Sequence, residues 1–284
     1  MVRGGVNGMF MKTGPIGVFD SGYGGLTILS EIRKSLPEYD YIYLGDNARA
    51  PYGSRSFDVV YKFTLQAVRY LFSQGCQLVI LACNTASAKA LRTIQQNDLP
   101  KIDPKRRVLG IIRPTVEMLG EVSKSGEVGI LGTAGTIQSQ SYPMEIEKMY
   151  PSFRTYGQAC PMWVPLVEYQ ESNSDGADYF VEKYVRELFA QSKDIDTVIL
   201  GCTHYPLLYS KIMKYMPEGV TVIRQGHIIA ESLKDYLRRH PEMDERCGKG
   251  GSCRYLTTES AEKFCSMASV FLDEPVEVEQ IELV

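Results

Sequence analysis

Two cysteines carry the chemistry that the sequence suggests. Val79-Ile80-Leu81-Ala82-Cys83-Asn84-Thr85 and Val198-Ile199-Leu200-Gly201-Cys202-Thr203-His204 are near copies 119 residues apart, each an apolar run ending in a cysteine. A buried strand ending there puts the thiol beside the N-terminus of the next helix, whose unpaired N–H groups and partial positive charge favour a thiolate. It also puts the thiol beyond the carboxyl end of a parallel strand, where α/β folds bind ligands. If two such ends face each other, one cleft carries a thiol on either side. An acid on one face of a carbon and a base on the other is what inversion of a stereocentre requires, and the α-carbon of an amino acid fits. That proton is weakly acidic, so the base must be desolvated and the developing charge stabilised. Ser21, Asn84, Thr85, Thr133 and Thr203 offer hydroxyl, amide and backbone N–H groups of the type that holds carboxylates. No pyridoxal-phosphate pattern is evident, so no cofactor is expected and the thiols would move the proton directly. Taken singly, each cysteine reads as a small buried residue closing a turn. The matched pair weakens that reading.

The repetition extends further. Gly17-Val18-Phe19-Asp20-Ser21 resembles Gly129-Ile130-Leu131-Gly132-Thr133, 112 residues on, which suggests two related halves, although strand-to-turn junctions share composition by chance. Strands are expected at 16–19, 41–44, 78–82, 108–112, 128–131, 197–200, 220–223 and 255–257. Between Ser56 and Gly75, apolar residues recur at helical spacing (Val60, Phe63, Ala67, Leu71). Further helices are expected from Leu26, Ala86, Pro114, Pro143, Ala177, Pro206, Ile228 and Ser260. Strands alternating with helices predict an α/β fold with mainly parallel sheets.

The 284 residues suit two domains, and 44% hydrophobic with 23% charged residues is ordinary globular composition. A net charge of −3 gives no reason to expect nucleic acid or an anionic membrane as partner. No apolar run is long enough to span a bilayer, and the first residues are too short in apolar core for a signal peptide. Residues 1–13 read as a disordered extension, with Met11 an alternative start. Seven cysteines, an odd number without a regular framework, fit reduced thiols in the cytoplasm.

At these residues the chain resembles the glutamate racemases of the aspartate/glutamate racemase superfamily. The motifs run in family order over about 16–208: Phe19-Asp20-Ser21-Gly22 with Gly24-Gly25-Leu26, Gly45-Asp46-Asn47-Ala48-Arg49 with Pro51-Tyr52-Gly53, and Ala82-Cys83-Asn84-Thr85-Ala86-Ser87. Cys160-Pro161 with Val164-Pro165-Leu166-Val167-Glu168, and Gly201-Cys202-Thr203-His204-Tyr205-Pro206-Leu207-Leu208, complete the set. The resemblance implies that Cys83 and Cys202 are the acid/base pair, Cys83 serving the D face and Cys202 the L face. Asp20 would assist Cys83, and His204 with Glu168 would assist Cys202. Substrate would be held by Asp20-Ser21, Tyr52-Gly53, Asn84-Thr85 and Thr203-His204, with Thr133 contributing. It implies two pseudo-symmetric α/β domains, 14–112 with 225–284 and 113–224, with the site in the cleft between them. The implied role is supply of D-glutamate for peptidoglycan and cell-wall synthesis. Glutamate is the expected small-molecule partner; a homodimer and an allosteric ligand such as a peptidoglycan precursor are left open. Two segments depart from the family pattern. Ile112-Arg113-Pro114-Thr115 stands where the family often has an acidic or other residue before the proline and a small one after, and Gln225-Gly226-His227 differs from the commoner serine-containing form. Neither touches the expected acid/base set.

Blander and rival readings accompany these. Asp20 in Asp-Ser-Gly can cap a turn, Glu168 can form a structural ion pair, and Thr133 and Thr136 can cap helices. Cys247 and Cys253 lie in a glycine-rich stretch without a second close pair of ligands, so a solvated loop is expected and no metal. Cys76, Cys160 and Cys265 are expected in the core or behind the site. An aspartate or hydantoin racemase is one rival, against which Cys202-Thr203-His204 favours glutamate. A nucleotide-binding dehydrogenase based on Gly22-Tyr23-Gly24-Gly25 is weakened by Thr27 at the third glycine position. A cysteine hydrolase with Cys83 as nucleophile would leave Cys202 without a role.

Overall fold

Ten strands form two sheets in the computed structural model, which describes residues 13–272 and 275–284. The expected 1–13 extension lies outside the described residues except for Thr13. The strands are β1 (Ile16–Asp20), β2 (Tyr41–Gly45), β3 (Leu78–Leu81), β4 (Arg107–Gly110), β5 (Glu127–Gly132), β6 (Arg154–Ala159), β7 (Thr197–Gly201), β8 (Thr221–Ile223), β9 (Cys253–Thr257) and β10 (Val278–Gln280). One sheet has the order β10-β9-β2-β1-β3-β4 and the other β6-β5-β7-β8, every pairing parallel. The expected α/β class with parallel sheets is therefore observed. The run β2-β1-β3-β4 has the same order as β6-β5-β7-β8, so β1 matches β5 and β3 matches β7, as the two sequence repeats require.

The central strands are apolar throughout because helices cover both faces of each sheet. Alternate residues go to opposite faces: Ile16, Val18, Tyr41, Tyr43, Leu78 and Ile80 join one core, while Phe19, Ile42, Leu44, Val79 and Leu81 join another. The second sheet divides likewise, Leu131, Val198 and Leu200 against Val128, Ile130 and Ile199. Each fully buried Val, Leu or Ile contributes on the order of 1.5–3 kcal/mol. Helix Phe57–Ser73 buries Val60, Thr64, Ala67, Val68 and Leu71 along one stripe. It stops where Gly75 takes φ of 95°, and the Cys76 and Gly75 N–H groups return to the carbonyls of Leu71 and Phe72.

Several expectations need correction. β6 and β10 were not expected: both are edge strands, half-exposed and polar (Arg-Thr-Tyr-Gly-Gln-Ala and Val-Glu-Gln), so neither carries an apolar run. The strand expected at 108–112 ends at Gly110, and Ile112 instead opens helix Ile112–Glu117. Cys247 is not in a solvated loop: it is 2% exposed and packs in the first core, although residues 249–252 are exposed. Cys265 is exposed, whereas Cys76 and Cys160 are buried as expected.

Candidate active site

The strand ends assemble the site. Cys83 follows β3 and caps helix Asn84–Lys89: its sulfur accepts the Ala86 N–H at 3.4 Å, and the thiol donates to Ser21 Oγ at 3.4 Å. Burial, then the nearby Asp20 carboxylate, pushes the Cys83 thiol up to about 12. Burial and Asp20 thus outweigh the hydrogen bonds with Ser21 and the Ala86 N–H, which favour the thiolate. Asp20 ends β1 and is 1% exposed. Its Oδ2 accepts the Gly22 N–H at 2.9 Å, the turn-capping bond expected of Asp-Ser-Gly, but its buried Oδ1 has no partner. Burial raises the Asp20 pKa, against the opposing charge of His204 and the hydrogen bond from the Gly22 N–H. An orphaned buried carboxylate oxygen costs free energy unless a ligand satisfies it.

Cys202 follows β7 and has different company. Its sulfur lies 3.9 Å from His204 Nδ1, and His204 Nε2 lies 3.0 Å from Glu168 Oε1. Burial alone would lower the His204 pKa; hydrogen bonds to Cys202 and Glu168, with their charges, overcome it and push the value up to about 10. One thiol therefore sits beside a carboxyl group and the other beside an imidazole that a carboxylate holds in place. The two form a single site, since each of Cys202 and Asp20 acts on the Cys83 charge, and His204 and Glu168 act on that of Asp20. Contact between the halves is close at Gly24, where an added Cβ would fall 2.2 Å from Thr203 Oγ1 and 2.5 Å from His204 Nδ1.

A second meeting point is made of hydroxyls. Thr85 Oγ1 lies 3.0 Å from Thr133 Oγ1 and 3.3 Å from Thr136 Oγ1. Thr133 also caps helix Ala134–Gln138 through the Thr136 N–H, so capping and site roles coexist. Gly53 lies against Thr133, and its carbonyl accepts the Gly135 N–H at 2.7 Å.

Tyr52 and Asn84 are placed less simply. The Tyr52 hydroxyl donates to the buried Asp46, which also holds Arg49 and Thr258, so the ring is 1% exposed and serves the fold around Asp46. The Asn84 amide is engaged with Gln225 and Tyr142. Thr136, Tyr142 and Phe271 were not singled out as site residues. The Phe271 ring meets the His204 imidazole edge-on at 5.6 Å and stacks on Tyr23 at 6.2 Å. A residue beyond the last helix carries no motif that could have announced this contact.

The family model described as Asp/Glu/Hydantoin racemase matches residues 26–233. The chain belongs to this family. A glutamate racemase of Paracoccus denitrificans is 40% identical, the match covering 93% of this chain and 98% of the relative. Among solved structures, glutamate racemase isoform RacE1 from Bacillus anthracis is similar at 34% identity and a TM-score of 0.87, over 96% of this chain and 98% of that one. Glutamate racemase from Francisella tularensis, solved in complex with D-glutamate, is 32% identical with a TM-score of 0.85, over 95% of this chain and 98% of that one. Among the described residues, no helix is long and apolar enough to cross a membrane.

Proposed function

We propose that this chain interconverts L- and D-glutamate by a two-thiol acid/base mechanism without a cofactor, supplying D-glutamate for peptidoglycan in the cytoplasm. The observation that carries the reading is the pair of buried strand-end cysteines, one beside Asp20 and one beside His204–Glu168. In the L-to-D direction, Cys202 as thiolate takes the Cα proton and the C–H electron pair passes into the carboxylate-conjugated carbanion. The Cys83 thiol then delivers its proton to the opposite face. The reverse direction exchanges the roles. The unpartnered Asp20 Oδ1 suits the substrate ammonium, and the hydroxyls of Thr85 and Thr133 suit a carboxylate. Backbone at Tyr52-Gly53 and Asn84-Thr85, with Ser21 and Thr203, would complete the binding set. Assignment of 225–284 to the first domain draws support from Ile229, Leu233 and Leu237 sharing a core with Leu26 and Leu29, and from β9 pairing with β2.

The test is circular dichroism of L-glutamate with the purified protein in D2O and no added cofactor. Loss of signal with deuterium entering Cα is expected; an unchanged signal overturns the proposal.

A further inference from the structure

The two segments that depart from the family pattern meet in the folded chain. Gln225 Nε2 donates to Thr115 Oγ1 at 2.9 Å and to the Tyr142 hydroxyl at 2.9 Å. Tyr142 in turn donates to Asn84 Oδ1 at 2.7 Å, and Asn84 Nδ2 donates to Gln225 Oε1 at 2.7 Å. The three side chains thus close a ring whose short bonds run from Gln225 to Tyr142 to Asn84 and back to Gln225, crossed by one longer bond the other way, from Gln225 Nε2 to Asn84 Oδ1 at 3.3 Å. Thr115 fixes that sense, because its hydroxyl hydrogen goes to the Ile111 carbonyl at 2.7 Å and leaves it only as an acceptor for Gln225. Asn84, Thr115, Tyr142 and Gln225 are each 3% exposed or less, so no water competes for these groups. Buried rings of this kind strengthen cooperatively and are costly to leave half-satisfied.

We propose that Gln225 is a positioning residue for the active site, acting through Asn84. The ring ties Asn84, at the start of the helix that Cys83 caps, to helices Ile112–Glu117, Ser141–Met149 and Gln225–Arg239. It also dictates the orientation of the Asn84 amide. The carbonyl oxygen is committed to Tyr142 and one N–H to Gln225, so the remaining N–H is the donor left for the cleft. This assignment gives a task to Thr115 and Gln225, which bond not to the acid/base set but to Asn84 and its partners, Asn84 being the neighbour of Cys83.

The inference rests on the proposed racemisation for its kinetic readout. Gln225→Glu keeps the size but, when ionised, has no hydrogen to give Tyr142 or Thr115; Tyr142→Phe removes one ring member with less risk to folding. Tyr142→Phe should lower kcat/KM for glutamate by about tenfold, the loss of roughly one buried hydrogen bond, and Gln225→Glu by at least as much, since it loses two. In an Asn84→Ala background the same substitutions should change it by less than about twofold, since residues acting through one another are non-additive. Equal effects in both backgrounds, or full activity in a folded Tyr142→Phe variant, would overturn the proposal. If wild type does not racemise glutamate, the functional reading fails, and the ring is then read by hydrogen–deuterium exchange of amides 84–89. Faster exchange in Tyr142→Phe supports it, and unchanged exchange overturns it.

Discussion

Replacing Gly24 by alanine should push apart the two halves where Gly24 meets Thr203 and His204. Gly24 has φ of −58° and ψ of −33°, ordinary helical backbone that alanine adopts freely, so no strain arises from conformation. The added methyl would lie 2.2 Å from Thr203 Oγ1, 2.5 Å from His204 Nδ1 and 2.8 Å from His204 Cε1. Thr203 can turn its hydroxyl away. The imidazole cannot move without leaving Cys202 or Glu168, which hold it from both sides. Relief therefore requires Gly24 and His204 to part by about 1 Å, a misplacement worth on the order of 10²-fold in rate when it falls on reacting groups. Overpacking costs about 1–3 kcal/mol and the loss of glycine freedom in the unfolded chain returns up to about 1, so Tm should move by only a few degrees. The assay is racemisation of L- and D-glutamate by circular dichroism, alongside thermal unfolding. Gly176→Ala is the control, because its methyl would meet nothing nearer than Ser174 Oγ at 3.5 Å. A folded Gly24→Ala protein with kcat/KM within about twofold of wild type would show that close apposition of the halves is not what aligns His204.

Cys83→Ser and Cys202→Ser should each lower racemisation by on the order of 10²–10⁴-fold with the fold intact, and full activity in either would exclude the two-thiol mechanism. Asp20→Asn should slow mainly removal of the proton from D-glutamate, and His204→Asn mainly removal from L-glutamate. Because equilibrium fixes the ratio of kcat/KM values, the asymmetry must appear in the separate kcat values and isotope effects, and identical changes in both directions would refute it. His204 is raised from 6.5 to about 10, so its proton stabilises the fold fully below about pH 6.5 and that contribution is lost as pH rises through about 10. Wild-type Tm should fall more steeply than that of His204→Asn across this window; parallel curves would contradict the assignment. Glutamate should exceed aspartate in kcat/KM by on the order of 10²-fold or more, since a missing methylene leaves buried donors unpaired; parity would move the assignment to the neighbouring racemases.

The site was largely legible because its residues sit at strand ends, where an apolar run gives way to small polar residues. Cys83, Cys202, Asp20 and Thr133 all follow such runs; the first three lie within electrostatic reach of one another, and Thr133 meets Thr85, two residues after Cys83. What escaped the sequence is of two kinds. Edge strands β6 and β10 carry no apolar run, since one side of each faces solvent. Tyr142 and Phe271 make their contacts across long stretches of chain, and a single tyrosine or phenylalanine outside a motif announces no partner; Gln225 stands out only as a departure from the family pattern, with nothing to name Tyr142 and Asn84 as its partners. Tyr52 shows that a side chain within a recognised motif can also serve the fold, its hydroxyl being held by Asp46.

The shared strand order of the two sheets bears on why such a protein has no preferred handedness. L- and D-glutamate have equal free energy in water, so a catalyst for their exchange gains nothing by favouring one. A wall made from β1 and β3 facing a wall made from the corresponding β5 and β7 offers an invertible carbon two approaches of the same architectural kind. Duplication of one ligand-binding half would supply such a vessel at once, before any residue had specialised. The difference between Asp20 and Gly132, and between His204 and Thr85, would then tune how each enantiomer saturates the protein, while the balance between them stays where solution chemistry puts it.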